Sequence, residues 1–204
     1  MKISEKGLKT LIELEGFEKR VYLDSAGLPT IGVGHLLTRD ELASGKIEIS
    51  YESVKYSDGI SEKQVMSLLR QDIERFEVVV RDCVKVPLQQ YQFDVLCIFS
   101  FNIGVSAFKK STLLRLLNTG NYQSVPVQLK RWVYSGGKKA PGLVNRRNRT
   151  AGIWADGYPG QNDKEKEVAG NDNGDSIIFT TTDRKANVIV GIGEVKLTGN
   201  WKVK

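Results

Sequence analysis

The stretch "LEGFEKRVYLDSAGLPTIGVGH", residues 14–35, decides the fold of this chain. Upstream of it, Leu8, Leu11 and Ile12 recur at helical spacing behind Ser4, so a helix is expected from Ser4 to about Glu15, with Gly16 as its stop. Downstream, "RVYLD" and "TIGVGHLL" have the character of two short strands. The "SAGLP" between them supplies Gly27 for a positive φ and Pro29 to end the turn. The prediction is a helix that delivers Glu15 at its C-terminal end, followed at once by a β-hairpin. Asp24 ends the first strand of that hairpin and Thr30 begins the second.

Those three residue types suit one chemistry. Glu15 stands next to Gly16 and Phe17, where apolar and aromatic surface would favour the protonated carboxyl. Cleavage of a glycosidic bond needs such an acid to protonate the leaving oxygen. It needs a second, ionised carboxylate across a cleft to handle water or the cationic transition state. Asp24 can be that carboxylate, and the Thr30 hydroxyl can hold the water. Singly, each is an ordinary helix-end or turn residue; the joint pattern E-x8-D-x5-T across helix, strand, glycine turn and strand carries the expectation.

Other chemistries are poorly supplied. A zinc site draws three or four ligands from closely spaced His, Cys and carboxylates, and this chain has one His and two Cys that lie 14 positions apart. A nucleophilic triad needs a base, yet His35 has no serine elbow to serve, and "GIGEVK" in the tail is a weak glycine pattern without a following helix. No metal or other cofactor is expected. Cys83 and Cys97 sit in apolar helical surroundings and are expected to be buried thiols.

The rest of the chain is mostly helical. Residues 39–60 are polar and aperiodic, with at most one strand near "SVKYS". Ser61 with Gln64 and Ile60 forms a capping box and staple, and the apolar positions from Val65 to Val80 then predict one long helix joining two lobes. "LQQYQFDVLCIFSFNIG", "STLLRLLNTG", "VQLKRWVY" and "LVNRRNRTAGIWADGY" predict further helices around a glycine-rich loop, "SGGKKAPG". Residues 159–175 have linker composition. Residues 176–204, rich in Ile, Val, Thr and Gly, read as two to four strands, too few to fold alone. They are expected to pack on the main domain, another copy or a larger partner.

At 204 residues, with 40% hydrophobic and 26% charged residues, the composition is that of a soluble globular protein. No apolar run is long enough to span a bilayer, and the N-terminus lacks the hydrophobic block of a signal peptide, so neither a membrane anchor nor a leader is expected. Of the +6 net charge, all belongs to residues 1–158, with 23 Lys+Arg against 17 Asp+Glu; residues 159–204 carry 7 of each. A basic surface suits a polyanion. No basic motif is interleaved with exposed aromatics, so nucleic acid is not the expected partner.

The residues are similar to those of the phage T4-type lysozymes, the endolysin family of muramidases. The likeness lies in E-x8-D-x5-T-I-G-x-G-H-L-L-T, carried by Glu15, Asp24, Thr30 and the run Ile31 to Thr38. It continues in "RQD" at 70–72, "SFNIG" at 100–104 and the stretch Arg131 to Trp154, and covers about residues 3–158. It implies an α+β, lysozyme-like fold with a small N-terminal lobe built on a β-hairpin or sheet, a long connecting helix and a helical C-terminal lobe. Residues 159–204 would then be an added β-rich extension. It also implies an inverting N-acetylmuramidase that cuts the β-1,4 bond between N-acetylmuramic acid and N-acetylglucosamine. Glu15 would be the general acid, and Asp24 and Thr30 would position water. His35 and Asp72 match a structural ion pair. Leu36, Phe101, Asn102 and Arg147 are the expected substrate contacts, with Phe101 also suited to the core. Arg146, Arg147, Arg149, Lys138 and Lys139 are candidates for touching acidic peptide stems, and Trp132 for a core anchor. The implied partner is bacterial peptidoglycan, reached from the host cytoplasm through a membrane lesion such as a holin pore, or from outside if the protein is virion-borne. The competing expectations are a lytic transglycosylase, or a peptidoglycan-binding assembly module whose tail contacts a phage structural protein or a second copy.

Overall fold

The computed structural model describes residues 1–158 except Ser25, together with the strands at 166–167, 177–182 and 185–190. The chain forms two compact units, residues 1–155 and 156–204.

Helix α1 (Glu5–Glu15) begins where Ser4 Oγ accepts the Gly7 N–H and ends at Gly16, whose φ of 93° suits glycine. Strands β1 (Glu18–Leu23), β2 (Pro29–Gly32) and β3 (His35–Leu36) form an antiparallel meander, one strand more than the expected hairpin. Val33 and Gly34 split "TIGVGHLL" into two strands, Gly34 turning at a φ of 70°.

Residues 39–60 are more ordered than their sequence suggests. Helix α2 (Arg39–Ser44) is started by a full capping box, Thr38 with Glu41, and stopped by Gly45 in the left-handed region. Strands β4 (Lys46–Ile49) and β5 (Glu52–Lys55) then form a hairpin whose Ile47 and Ile49 point into the core. Its tip, Ser50 and Tyr51, has both residues at positive φ, 53° and 68°, without glycine or asparagine to ease it. Gln71 holds the tip by accepting the Ser50 N–H at 3.3 Å and donating to the Glu48 carbonyl at 2.9 Å.

Helix α3 (Glu62–Cys83) spans about 33 Å at 1.5 Å per residue. It packs on the strands of the sheet lobe and on the helices α4 (Gln90–Ile103) and α5 (Val105–Lys109). The helical lobe continues with α6 (Thr112–Asn118), a 3₁₀ turn at Tyr122–Ser124 and α7 (Val125–Leu129). The hairpin of β6 (Tyr134–Ser135) and β7 (Lys138–Lys139) and then α8 (Pro141–Asp156) complete it. The helix expected over "VQLKRWVY" therefore stops at Leu129. Its last residue joins the hairpin, which turns on Gly136 and Gly137, both at positive φ. Cys97 is buried, and burial pushes its thiol pKa up; Cys83 is only half-buried, short of the expected enclosure.

Helix α1 is first in the chain but packs on α4. The approach is close because residue 7 is glycine. A Cβ there would lie 2.6 Å from Ile3 Cγ1 and 2.8 Å from Asp94 Cγ. Buried Asp94 accepts the Ser4 N–H at 2.9 Å, the Ser4 hydroxyl at 2.5 Å and the Gln90 side-chain N–H at 2.8 Å. Buried Glu77 accepts the Ile3 N–H at 2.8 Å. Glu15 consequently rides on the helical lobe, while Asp24 and Thr30 belong to the sheet.

In the C-terminal unit, strands β8 (Lys166–Glu167), β9 (Ile177–Thr182) and β10 (Lys185–Val190) pair antiparallel in the order β10-β9-β8. β8 falls within the stretch of linker composition; the rest of residues 159–175 lies outside the described residues.

Candidate active site

Glu15 is the last residue of α1, and its carboxylate meets a cation instead of the expected apolar surface. Arg146 Nη1 donates to Glu15 Oε1 at 2.5 Å, and Nη2 donates to the Leu14 carbonyl at 2.9 Å. One guanidinium thus fixes the acid and satisfies a backbone carbonyl at the helix end, where a cation also suits the helix dipole. Arg149 donates to Glu13, so α8 is stitched to α1 at two places. On its other side Glu15 abuts the β2–β3 turn. A Cβ built on Gly34 would lie 3.8 Å from Glu15 Oε2 and 3.6 Å from Phe101 Cε1. Phe101 is half-buried and tilted against Phe76 at 5.2 Å between ring centres. It therefore serves as a wall beside Glu15 as well as a packing residue.

Asp24 lies one residue beyond β1, at the mouth of the β1–β2 turn. Its Oδ1 accepts the N–H groups of Ala26 and Leu28, both at 2.8 Å, which anchors one oxygen and leaves Oδ2 without a bond in this turn. Thr30 is only 3% exposed, and its hydroxyl donates to the Leu28 carbonyl at 3.0 Å, so its lone pairs remain to accept. Strand register sets Thr30 opposite both Tyr22 and Leu36, giving a row Tyr22–Thr30–Leu36 across one sheet face. Leu36 is 49% exposed at the end of that row.

Sequence reasoning passed over Tyr22. Its phenol pKa is raised, first by burial and then by the nearby charges of Glu15, Glu18 and Asp24. One side chain therefore feels both candidate carboxylates, which brings the end of α1 and the turn of the hairpin to one place. The signal was present in the alternation of "VYLD", since Tyr22 stands two residues before Asp24 and so on its face of the strand.

Arg147 departs from the expected peptide contact. It is 1% exposed; its Nε donates to the Trp132 carbonyl at 3.0 Å, its Nη2 donates to Asn102 Oδ1, and its guanidinium lies over Phe99 at 5.0 Å. Burial and the neighbouring Arg146 charge lower its pKa to about 10 against the pull of Glu15. Nη1 is enclosed with no hydrogen-bond partner among the described residues. The cause is helical phase: Arg146 and Arg147 are 100° apart on α8, so one reaches Glu15 while the other enters the lobe under Asn102. Trp132 packs edge-on to Phe99 at 5.6 Å, as a core anchor does. Lys138 and Lys139 are exposed on the β6–β7 hairpin.

His35 is not catalytic in geometry. Its Nδ1 pairs with Asp72 at 2.9 Å and its Nε2 with Glu41 at 3.2 Å, joining β3 to α3 and α2. Burial opposes the imidazolium, but the hydrogen bond and charge of Asp72, then the charge and hydrogen bond of Glu41, outweigh it and raise the pKa. For Glu41, burial is likewise outweighed by the Thr38 backbone N–H and hydroxyl and then by His35, and its pKa is lowered. A raised histidine pKa gives stability that is full below its unfolded value, about 6.5, and lost as pH rises through the folded value. A lowered glutamate pKa gives stability that is present above about 4.3 and lost as pH falls through the folded value. The clamp should therefore be firmest between those limits. A urea midpoint that declines from pH 6 to pH 8 in the wild type, with a smaller decline in His35→Asn, is the expected result; parallel pH profiles would remove the clamp.

A carboxylate at the end of α1 and a backbone-anchored carboxylate on the β1–β2 hairpin, both acting on Tyr22, are the groups that a two-carboxylate glycoside hydrolase requires. The phage lysozyme family model matches residues 12–150. The endolysin of Salmonella phage P22 is 38% identical over 154 residues, spanning 76% of this chain and 98% of that protein. The SAR-endolysin of Escherichia phage Mu is 38% identical over 146 residues, 72% of this chain and 77% of that one. Among solved structures, a variant of P22 lysozyme superposes with a TM-score of 0.64 at 37% identity, covering 76% and 99% of the two chains. The endolysin of Escherichia coli O157:H7 phage FAHEc1 gives 0.64 at 34%, covering 78% and 96%. The chain belongs to the phage lysozyme family, and it is a glycoside hydrolase of the lysozyme type.

Proposed function

We propose that this enzyme is an N-acetylmuramidase that hydrolyses the β-1,4 bond between N-acetylmuramic acid and N-acetylglucosamine with inversion. The observation that carries the assignment of roles is that the charges of Glu15 and Asp24 both act on Tyr22, whose cross-strand partner is Thr30. Glu15 gives its proton to the glycosidic oxygen. As the proton leaves, the charge left on Glu15 develops against the Arg146 guanidinium, so no reorientation is needed at that step. Water held between the Thr30 hydroxyl and the free oxygen of Asp24 attacks the opposite face of the sugar, and Asp24 takes its proton. Leu36, Phe101 and Asn102 line the glycan path, and Arg147 acts through Asn102 by fixing its amide.

Residues 1–158 form the catalytic body, which is supported by the near-complete coverage of the P22 endolysin by a match to 76% of this chain. Residues 159–175 connect it to a β-rich appendage at 176–204 that offers a surface to a larger partner. No helix among the described residues is long and apolar enough to cross a membrane; the protein reaches the wall through a membrane lesion or, if it is virion-borne, from outside.

The test is product analysis on purified cell wall. The expected products end in reducing N-acetylmuramic acid, with the α anomer in excess at the first time points. Products ending in 1,6-anhydromuramic acid would replace hydrolysis by transglycosylation, in which Asp24 and Thr30 have no water to hold.

A further inference from the structure

Ser50 and Tyr51, the tip of the β4–β5 hairpin, both hold left-handed backbone, at φ 53° and 68°. That conformation is unfavourable for residues other than glycine and asparagine, and most of all for a bulky side chain. Tyr51 is 104% exposed, so its ring adds no packing that would offset the strain. An Asn-Gly tip would close the same turn without it. Strain that the packing does not need points to a use outside the packing.

Beside the ring opens a cavity of about 630 Å³, within the roughly 300–1,000 Å³ of small-ligand sites. Its long wall is α3, where Ser67, Arg70, Gln71 and Glu74 share one face at i, i+3, i+4 and i+7. Glu48 and Tyr51 from the hairpin and Lys2 from the N-terminus complete it. The cavity is separate from the catalytic cleft. Glu74 and Phe76 stand about 200° apart around α3, and Phe76 is the ring that meets Phe101 beside Glu15.

The charges of the lining select neither an anion nor a metal ion. Arg70 is held by Glu5 at 2.6 Å, and Glu77 by the Ile3 N–H and Arg81. Among the described residues, Lys2, Glu48 and Glu74 have no salt bridge, so two carboxylates outweigh one cation and oppose an acidic ligand. No described group of His, Cys, Asp and Glu is arranged to hold a metal ion. The lining suits a neutral ligand rich in hydroxyl and amide groups. Carboxylates accept from hydroxyls, Ser67 and Lys2 donate to carbonyl oxygens, and an exposed aromatic face packs on C–H surface.

We propose that this cavity is a second glycan site, in which the Tyr51 ring stacks on an N-acetylhexosamine of a wall strand other than the one in the cleft. Glu48, Glu74 and Ser67 bond the hydroxyl and acetamido groups of that sugar. The proposal rests on the wall being the substrate. Gripping a neighbouring strand raises the local concentration of uncut glycan at the cleft without any new contact at the reacting bond.

The experiment uses the full chain as Glu15→Gln, which keeps the probe uncut, with tri-N-acetylchitotriose as the probe and backbone NMR shifts as the readout. Expected are two saturable sets of shifts, one at Leu36, Phe101 and Asn102 in the cleft and one at Tyr51, Ser67 and Glu74. Adding Tyr51→Gly should weaken binding at the second set about tenfold, on the order of one lost stacking contact, with the first set still present. Glycine accepts the left-handed backbone, so the melting temperature of Tyr51→Gly should equal or exceed that of wild type. With Glu15 intact, the rate on insoluble wall divided by the rate on short soluble glycan fragments should fall in Tyr51→Gly, because fragments gain nothing from a second grip. Shifts confined to the cleft, equal affinity in Tyr51→Gly, or a melting temperature that falls with loss of the ring would each overturn the proposal. Failure of the muramidase reading shows instead as wall left uncut by wild type, with the shifts at Tyr51 still measurable.

Discussion

Glu15→Gln should abolish detectable wall lysis, lowering the rate by at least about a hundredfold while leaving the fold intact, since a positioned general acid contributes on the order of 10² to 10⁴ and the amide has no proton to give. The side chain keeps its length, and its amide oxygen still accepts from Arg146 Nη1, so α1 and α8 stay joined. The measurement is the fall in turbidity of chloroform-permeabilised Gram-negative cells, with circular dichroism as a check on folding. Clearing at the wild-type rate by a folded Glu15→Gln would move the acid elsewhere, and Asp24 is not suited to replace it. Its Oδ1 is already occupied by two backbone amides, an arrangement suited to an anion that aligns water.

The largest effect on stability is expected at Asp94→Ala. That buried carboxylate gathers the Ser4 N–H, the Ser4 hydroxyl and the Gln90 amide, and Ser4 in turn caps α1. Removing it leaves partly buried donors unpaired, opens a void and loosens the cap, together about 3 kcal/mol. For a chain of this size the melting temperature should drop by about 6–12 °C. Urea unfolding followed by tryptophan fluorescence checks this, with Asp94→Asn, which keeps the shape and one acceptor, falling between. A loss below 1 kcal/mol would mean that α1 is held by its apolar face alone.

Much of the site was legible because its chemistry lies in one short stretch. The helix stop at Gly16, the turn at Gly27 and the strand pattern put Glu15, Asp24 and Thr30 in order without tertiary information. What surrounds them was not legible, since it comes from far along the chain. Nothing local to Glu15 announces Arg146, and two adjacent arginines differ in role only through the phase of α8. Residues 39–60 were missed for two separate reasons. The box T-R-D-E at 38–41 was a readable start for α2 and was overlooked. The β4–β5 hairpin, by contrast, turns on Ser50 and Tyr51, which carry no turn signature, and it is held by Gln71 from α3. The β6–β7 hairpin hid in a glycine-rich loop because its strands are two residues each, too short for a period.

The seating of α1 on α4 sets the order in which the molecule can be made. Eleven residues are too few for a helix to persist in water, so α1 gains its stability from partners that lie 74 and 90 residues later, at Glu77 and Asp94. At a synthesis rate of about 5–20 residues per second, several seconds separate the emergence of α1 from that of its anchor. During that time the nascent chain can close the β1–β3 meander and begin α3, but Glu15 has no fixed position. Catalytic competence therefore waits for the helical lobe, and a ribosome-bound chain that ends before Asp94 carries Glu15, Asp24 and Thr30 without an assembled site.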